Sequence, residues 1–136
     1  MACSCKIDRD IQDLAGKSKT IYYGEVIAIE KIGDFVKSGE KQQYKVTLQP
    51  QDVLKGKAKK KYSYVGWKFY NDKDSKNPRT GDCGLDLSFG EKYMVLLEKG
   101  REPQWSMCSE HILPRGSKRF TEFVDRVQAP ARLTAN

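Results

Sequence analysis

The tightest constraint on this chain is where its cysteines stand. There are four, Cys3, Cys5, Cys83 and Cys108. An even count at wide spacing suits two disulfides made in an oxidising compartment. A Cys3–Cys5 bridge would strain disulfide geometry across its single spacer residue. Two pairings are left: Cys3–Cys83 with Cys5–Cys108, or the crossed alternative. Either one staples the extreme N-terminus to distant parts of the chain. Closing loops of that length stabilises by roughly 4 kcal/mol in the chain-entropy model. Zinc is the competing reading. Zinc knuckles space their cysteines more widely than Cys3-Ser4-Cys5 does. The only histidine is His111. On the residues alone, a site made of all four cysteines stays open.

A chain of 136 residues is one domain's worth, able to bury roughly two-thirds of its unfolded surface around one core. Apolar residues make up 38% and charged residues 32%, yet seven Tyr, five Phe and two Trp argue against disorder. No run approaches the roughly 18 apolar residues of a membrane helix. A membrane span and a large multidomain enzyme are therefore excluded. Residues 1–128 read as one domain and residues 129–136 as a frayed tail.

Met1-Ala2 is too short to be a signal peptide, which a secreted protein needs. Ala2 directly before Cys3 fits the last residue of a removed one. The expectation is a mature chain that begins at or near Cys3, exported to the periplasm, the cell surface or the medium. A lipid anchor on Cys3 is the alternative, but it would orphan another cysteine.

Lys and Arg number 25 against 18 Asp and Glu, a net +7. Such a surface favours acidic partners. Much of the excess lies in Lys55, Lys57, Lys59, Lys60 and Lys61, which are candidates for binding an anionic glycan. The ordinary reading of such a run is a solvated turn that protects a strand edge.

Along the chain, residues 7–15 place Ile7, Ile11, Leu14 and Ala15 at helical spacing, with Asp8 as the expected cap and Gly16 as the stop. Residues 20–32 are rich in β-branched and aromatic side chains, with Gly24 as a bulge. Residues 32–40 read as a loop or hairpin tip. Tyr44, Val46 and Leu48 alternate as a half-buried strand, and Pro50 limits it or marks an edge or bulge. Residues 62–70 form another strand, interrupted by Gly66. Residues 71–82 read as a long surface loop. Leu85, Leu87 and Phe89 follow, then a turn and a strand over residues 92–98. After another turn, residues 105–113 follow. Ser117 can cap a helix whose Phe120, Phe123, Val124 and Val127 form one apolar stripe. About five strands with a helix in front and one behind match a five-stranded antiparallel Greek-key barrel, the OB-fold. A sandwich is the other architecture these periodicities allow.

Four motifs now stand in one order. The chain opens with Cys3-Ser4-Cys5. Strand 44–48 runs into Asp52-Val53-Leu54-Lys55-Gly56. Cys83-Gly84-Leu85-x-Leu87 precedes Gly90-x-x-Tyr93-x-Val95. Cys108-Ser109 leads to Ile112-Leu113-Pro114. In this the sequence resembles the netrin-like module and, within it, the inhibitory domain of the tissue inhibitors of metalloproteinases. The resemblance covers roughly residues 3–127. It implies an OB-fold with bridges Cys3–Cys83 and Cys5–Cys108, no cofactor and no metal of its own. It also implies a partner, a zinc metalloprotease. The N-terminal cysteine of that family binds the protease's catalytic zinc through its α-amino nitrogen and carbonyl oxygen. Here Cys3 would chelate, Ser4 would enter the main specificity pocket and Cys5 would continue the wedge. Asp82, Cys83 and Gly84 would flank it, and loop 32–40 would add contacts. The chain departs from the family in three ways. A third bridge is absent. Lys6-Ile7 replaces an apolar residue followed by Pro. Behind Met1-Ala2 the Cys3 nitrogen is an amide, with no lone pair for zinc.

Other functions find weaker support. Tyr62, Tyr64, Trp67, Phe69 and Tyr70 lie in a basic region and could stack bases. Their ordinary role is to fill the interior on alternate positions, and disulfides speak against nucleic acid. An enzyme lacks a credible base, since His111 lies close to a cysteine expected to be bridged. Asp82, Asp86 and Glu91 form no catalytic pattern, and no phosphate-cradling glycine loop is present. A non-inhibitory binding module for a protein or glycan is the alternative to the inhibitor.

Overall fold

The computed structural model describes residues 9–38, 40–71, 74–78, 88–100 and 111–130. These form α1 (Ile11–Lys17), β1 (Ser18–Val36), β2 (Lys41–Lys55), β3 (Tyr62–Asn71), β4 (Asp74–Pro78), β5 (Lys92–Glu98), β6 (Ile112–Pro114) and α2 (Lys118–Arg126). The protein is mainly β, with one helix in front and one behind, as the sequence implies. Its strands lie in the order β4-β3-β2-β1-β5-β6, and every neighbouring pair is antiparallel. The two ends of this order do not pair among the described residues, so the sheet is open there.

Helix α1 starts later than the 7–15 periodicity predicts. Asp10, not Asp8, is its N-cap, accepting from the backbone N–H groups of Gln12 and Asp13 at 3.1 and 3.3 Å. That satisfies two of the donors a helix leaves orphaned. Gly16 lies inside the last turn. The helix stops where Ser18 turns extended and its hydroxyl donates to the Leu14 carbonyl at 2.8 Å. At seven residues the helix is too short to be stable alone and depends on packing. Ser117 caps α2 as expected, accepting from the Phe120 N–H.

Strand β1 is central, paired to β2 on one side and β5 on the other. Its alternation splits the core into two. Tyr22 and Val26 join Tyr44, Val46, Leu48, Tyr64, Tyr93 and Val95 on one face. Ile21 and Tyr23 join Met94, Leu96 and Leu113 under Ile11, Leu14, Phe120 and Phe123 of the two helices. Strand β5 is buried across all five of its central residues because it serves both faces. Each fully buried large apolar side chain contributes about 1.5–3 kcal/mol.

Gly24 sits at a register shift, as its reading as a bulge requires. A Cβ there would meet the Gln49 carbonyl oxygen at 2.9 Å. Strand β2 continues through Pro50, which is paired to Gly24 beyond Leu48, the last residue that β3 reaches. A missing N–H is harmless at a bulge with no strand on the other side. Gly66 does not interrupt β3; it pairs with Tyr44. Residues 32–40 form the tip of the β1–β2 hairpin, as one of the two readings has it, with strand pairing reaching further into the segment than a loop would allow. β1 runs to Val36, and the buried Gln42 amide donates to the carbonyls of Ile32 and Gly33, both at 3.1 Å. The expected loop over 71–82 contains β4.

Candidate functional site

The expected wedge residues Cys3, Ser4, Cys5, Asp82, Cys83 and Gly84 lie outside the described residues, as does Cys108. What the structure gives is the point from which the N-terminal segment departs. Arg9 is clamped there. Its guanidinium is hydrogen-bonded to Glu98 at the end of β5, and its carbonyl accepts from Arg119 of α2 at 2.9 Å. One residue on, Arg126 donates to the Asp10 carboxylate at 3.0 Å and to the Gln12 side-chain oxygen at 2.9 Å. Glu98 also meets His111 Nε2 at 3.2 Å. Burial works to raise the Glu98 pKa, but the hydrogen bonds and charges of Arg9 and His111 outweigh it, and the carboxyl is held below its ordinary range. At Asp10 burial again works upward, and the Arg126 charge and the cap N–H groups prevail over it to lower the carboxyl. The first described turn is thus bolted to both β5 and α2.

The lysine run is a second construction. Strand β2 ends at Lys55, and Gly56 turns the chain with φ +69°. A Cβ on Gly56 would lie 2.1 Å from the Lys19 carbonyl oxygen. Only glycine permits that approach and that backbone region. The approach lets Thr20 donate its hydroxyl to the Lys57 carbonyl at 3.1 Å, and the Lys59 N–H donates to the Tyr62 hydroxyl at 3.0 Å. Ala58 packs on the aromatic core. Lys57 and Lys59, on either side of it, line with Lys61 a cavity of about 370 Å³ whose lining also includes Lys19 and Glu98. Glu98 is taken up by Arg9 and His111. Among the described residues no ion pair neutralises these four lysines.

The five candidate lysines therefore separate. Lys57, Lys59 and Lys61 converge on the cavity, and Lys60 is not part of its lining. Lys55 has a structural role instead. Its ammonium donates to the carbonyls of Ala15 and Gly16, both at 3.0 Å, where a cation favours a helix C-terminus. Sequence reasoning missed Lys19 and Glu98. Neither carries a signal of its own, because only the β1–β5 pairing and the Gly56 turn bring them to the run.

The aromatic residues proposed for base stacking are partly used inside. Tyr64 is buried, and its hydroxyl shares a hydrogen bond of 2.9 Å with that of Tyr22. Tyr62 stacks on Tyr22 with ring centroids 4.7 Å apart. Trp67 is half-buried beneath the Lys41 ammonium, 4.5 Å from its ring centre. The side chains of Phe69 and Tyr70 lie outside the described set. Among the described residues no cluster of His, Cys, Asp and Glu could hold a metal, and no helix is long and apolar enough to cross a membrane. No family model, curated protein or solved structure matches this chain.

Proposed function

We propose that this chain is an exported netrin-like module of the OB type, bridged Cys3–Cys83 and Cys5–Cys108. In this reading its N-terminal Cys3-Ser4-Cys5 wedge inhibits a zinc metalloprotease. A zinc protease keeps one coordination position open for water or substrate. A free Cys3 amine, with an ordinary pKa of about 7.7–8.0, has a lone pair accessible near neutral pH. It would displace the catalytic water together with the Cys3 carbonyl. The supporting observation is the clamp at Arg9, whose side chain and carbonyl are held by β5 and α2. A segment that leaves from a fixed point loses less entropy on binding than a free tail does. The test is titration of several zinc metalloproteases with two oxidised forms of the protein. One form starts at Met1 and the other at Cys3. Inhibition by the Cys3 form alone is expected. Failure of both forms, with bridges intact, removes the inhibitor reading.

A second reading, a netrin-like module that binds an anionic glycan, is favoured by the convergence of Lys57, Lys59 and Lys61 on one cavity. Retention on immobilised heparin that weakens with salt, and is lost when these lysines are neutralised, is the expected result. Retention unchanged by neutralisation would dismiss it.

A further inference from the structure

We propose that the cavity beneath the lysine run is a discrete site for one sulfate- or phosphate-bearing sugar unit, gripped by Lys57, Lys59 and Lys61 against Lys19. The inference rests on the glycan reading and goes further, from a charged surface to a shaped pocket. Three observations carry it. The cavity, about 370 Å³, falls in the size range of small-molecule sites. A smear of charge along a polymer track would need no such hollow. Its lysines carry no counter-charge among the described residues, since the one carboxylate in the wall, Glu98, is bound to Arg9 and His111. Four lysines lining one space favour a ligand with concentrated negative charge. Thr20, Tyr62 and Ser63 also line it, and their hydroxyls, which bond the Lys57 carbonyl, the Lys59 N–H and Thr47 respectively, keep further hydrogen-bonding capacity for a sugar.

The backbone is also specialised to make this pocket. Gly56 allows the run to press on the Lys19 carbonyl, and the Thr20 and Tyr62 hydroxyls pin the backbone of Lys57 and Lys59. A merely solvated lysine turn requires no such anchoring. Tetrahedral oxyanion esters are the shared chemistry. Sulfated glycans and phosphorylated sugars are its two sources.

The experiment is an amide chemical-shift titration of the oxidised full chain with a sulfated disaccharide, with glucose 6-phosphate and with the unsubstituted sugars. Binding of at least one ester about tenfold tighter than its unsubstituted sugar is expected. The largest shifts should fall on Thr20, Lys59 and Ser63, and the tighter ester names the source. The triple change Lys57→Gln, Lys59→Gln, Lys61→Gln should weaken it about tenfold or more, whereas the same loss of charge at the exposed Lys31, Lys37 and Lys118 should cost less than about twofold. No preference for either ester, shifts outside the cavity, or equal losses in both triple variants would overturn the proposal. Heparin retention separates its failure from that of the glycan reading. Lysine-dependent retention of the polymer without binding of either short ester defeats the pocket alone, and loss of both defeats both.

Discussion

The two faces of the sheet are built from the same strands and closed by different chemistry. On the helix face, Ile21, Met94, Leu96 and Leu113 meet Ile11, Leu14, Phe120 and Phe123 in a mostly hydrocarbon contact, with Tyr23 buried among them against Phe120. Its polar work is done at the rim, where Arg9, Asp10 and Arg126 tie the helices and β5 together. On the other face four tyrosines, Tyr22, Tyr44, Tyr64 and Tyr93, share the interior with aliphatic side chains. Two of their hydroxyls pair inside it, and the neighbouring Tyr62 reaches the lysine run. A face with a single buried tyrosine needs chiefly volume. A tyrosine face needs every hydroxyl matched, and in return it offers polar groups at its margin. The lysine cavity lies on that margin, and Glu98 links its wall to the clamp at Arg9.

The largest effect should come from emptying the helix face. Phe123→Ala removes a fully buried ring between α2 and the sheet. We expect a loss of about 3–5 kcal/mol in denaturant unfolding. A loss below about 1 kcal/mol would mean that the helices are not integral to the core. Next, Gly56→Ala forces a Cβ onto the Lys19 carbonyl in a left-handed backbone region. The expected cost is about 1–3 kcal/mol, with loss of anion binding as the turn lifts. Wild-type stability in this variant would show that the close approach is not needed.

A smaller effect tests the tyrosine face. Tyr64→Phe deprives the buried Tyr22 hydroxyl of its partner, at about 1 kcal/mol. The pH profile separates the faces further. Burial, then the charge and hydrogen bond of Tyr64, push the Tyr22 pKa far above its ordinary 10.0. Its contribution to stability is complete below that value and declines as pH rises beyond it. Tyr22→Phe should therefore flatten the alkaline limb. The lowered Glu98 works in the opposite sense. Its contribution is complete above the ordinary 4.5 and is lost as pH falls through the lowered value. Glu98→Gln should flatten the acid limb alone, and thermal melts across pH read both. The smallest effect on stability belongs to Lys59→Gln, within about 0.5 kcal/mol. A larger change would make the lysine run a structural element rather than a binding one.

Much of this architecture is legible in order along the chain. The Ser117 cap and the Phe120–Phe123 stripe, the Gly24 bulge and the buried strand at 92–98 each rest on local chemistry that a sequence displays. The start of α1 is not. The periodicity beginning at Ile7 points to Asp8, whereas the helix is capped by Asp10, whose carboxylate also receives Arg126 from more than a hundred residues away. Residues 32–40 read as a loop or hairpin tip because their Gly, Asp and Ser residues are turn formers, and they do carry the β1–β2 turn. How far the strand runs into that tip is decided by cross-strand pairing and the Gln42 amide.

The candidate site divides in the same way. The Cys-x-Cys start and the lysine run are features of composition and spacing, visible without a fold; the first suggests protease inhibition only through the family it resembles, and the second suggests an acidic partner. Which lysines converge is decided only in three dimensions. Lys55 and Lys57 are two residues apart and chemically identical. One completes a helix terminus and the other faces a cavity because the glycine between them turns the chain by pressing on Lys19. Local sequence determines backbone preference and charge. The direction in which a long, flexible side chain is used depends on which distant carbonyls, carboxylates and rings the sheet brings beside it.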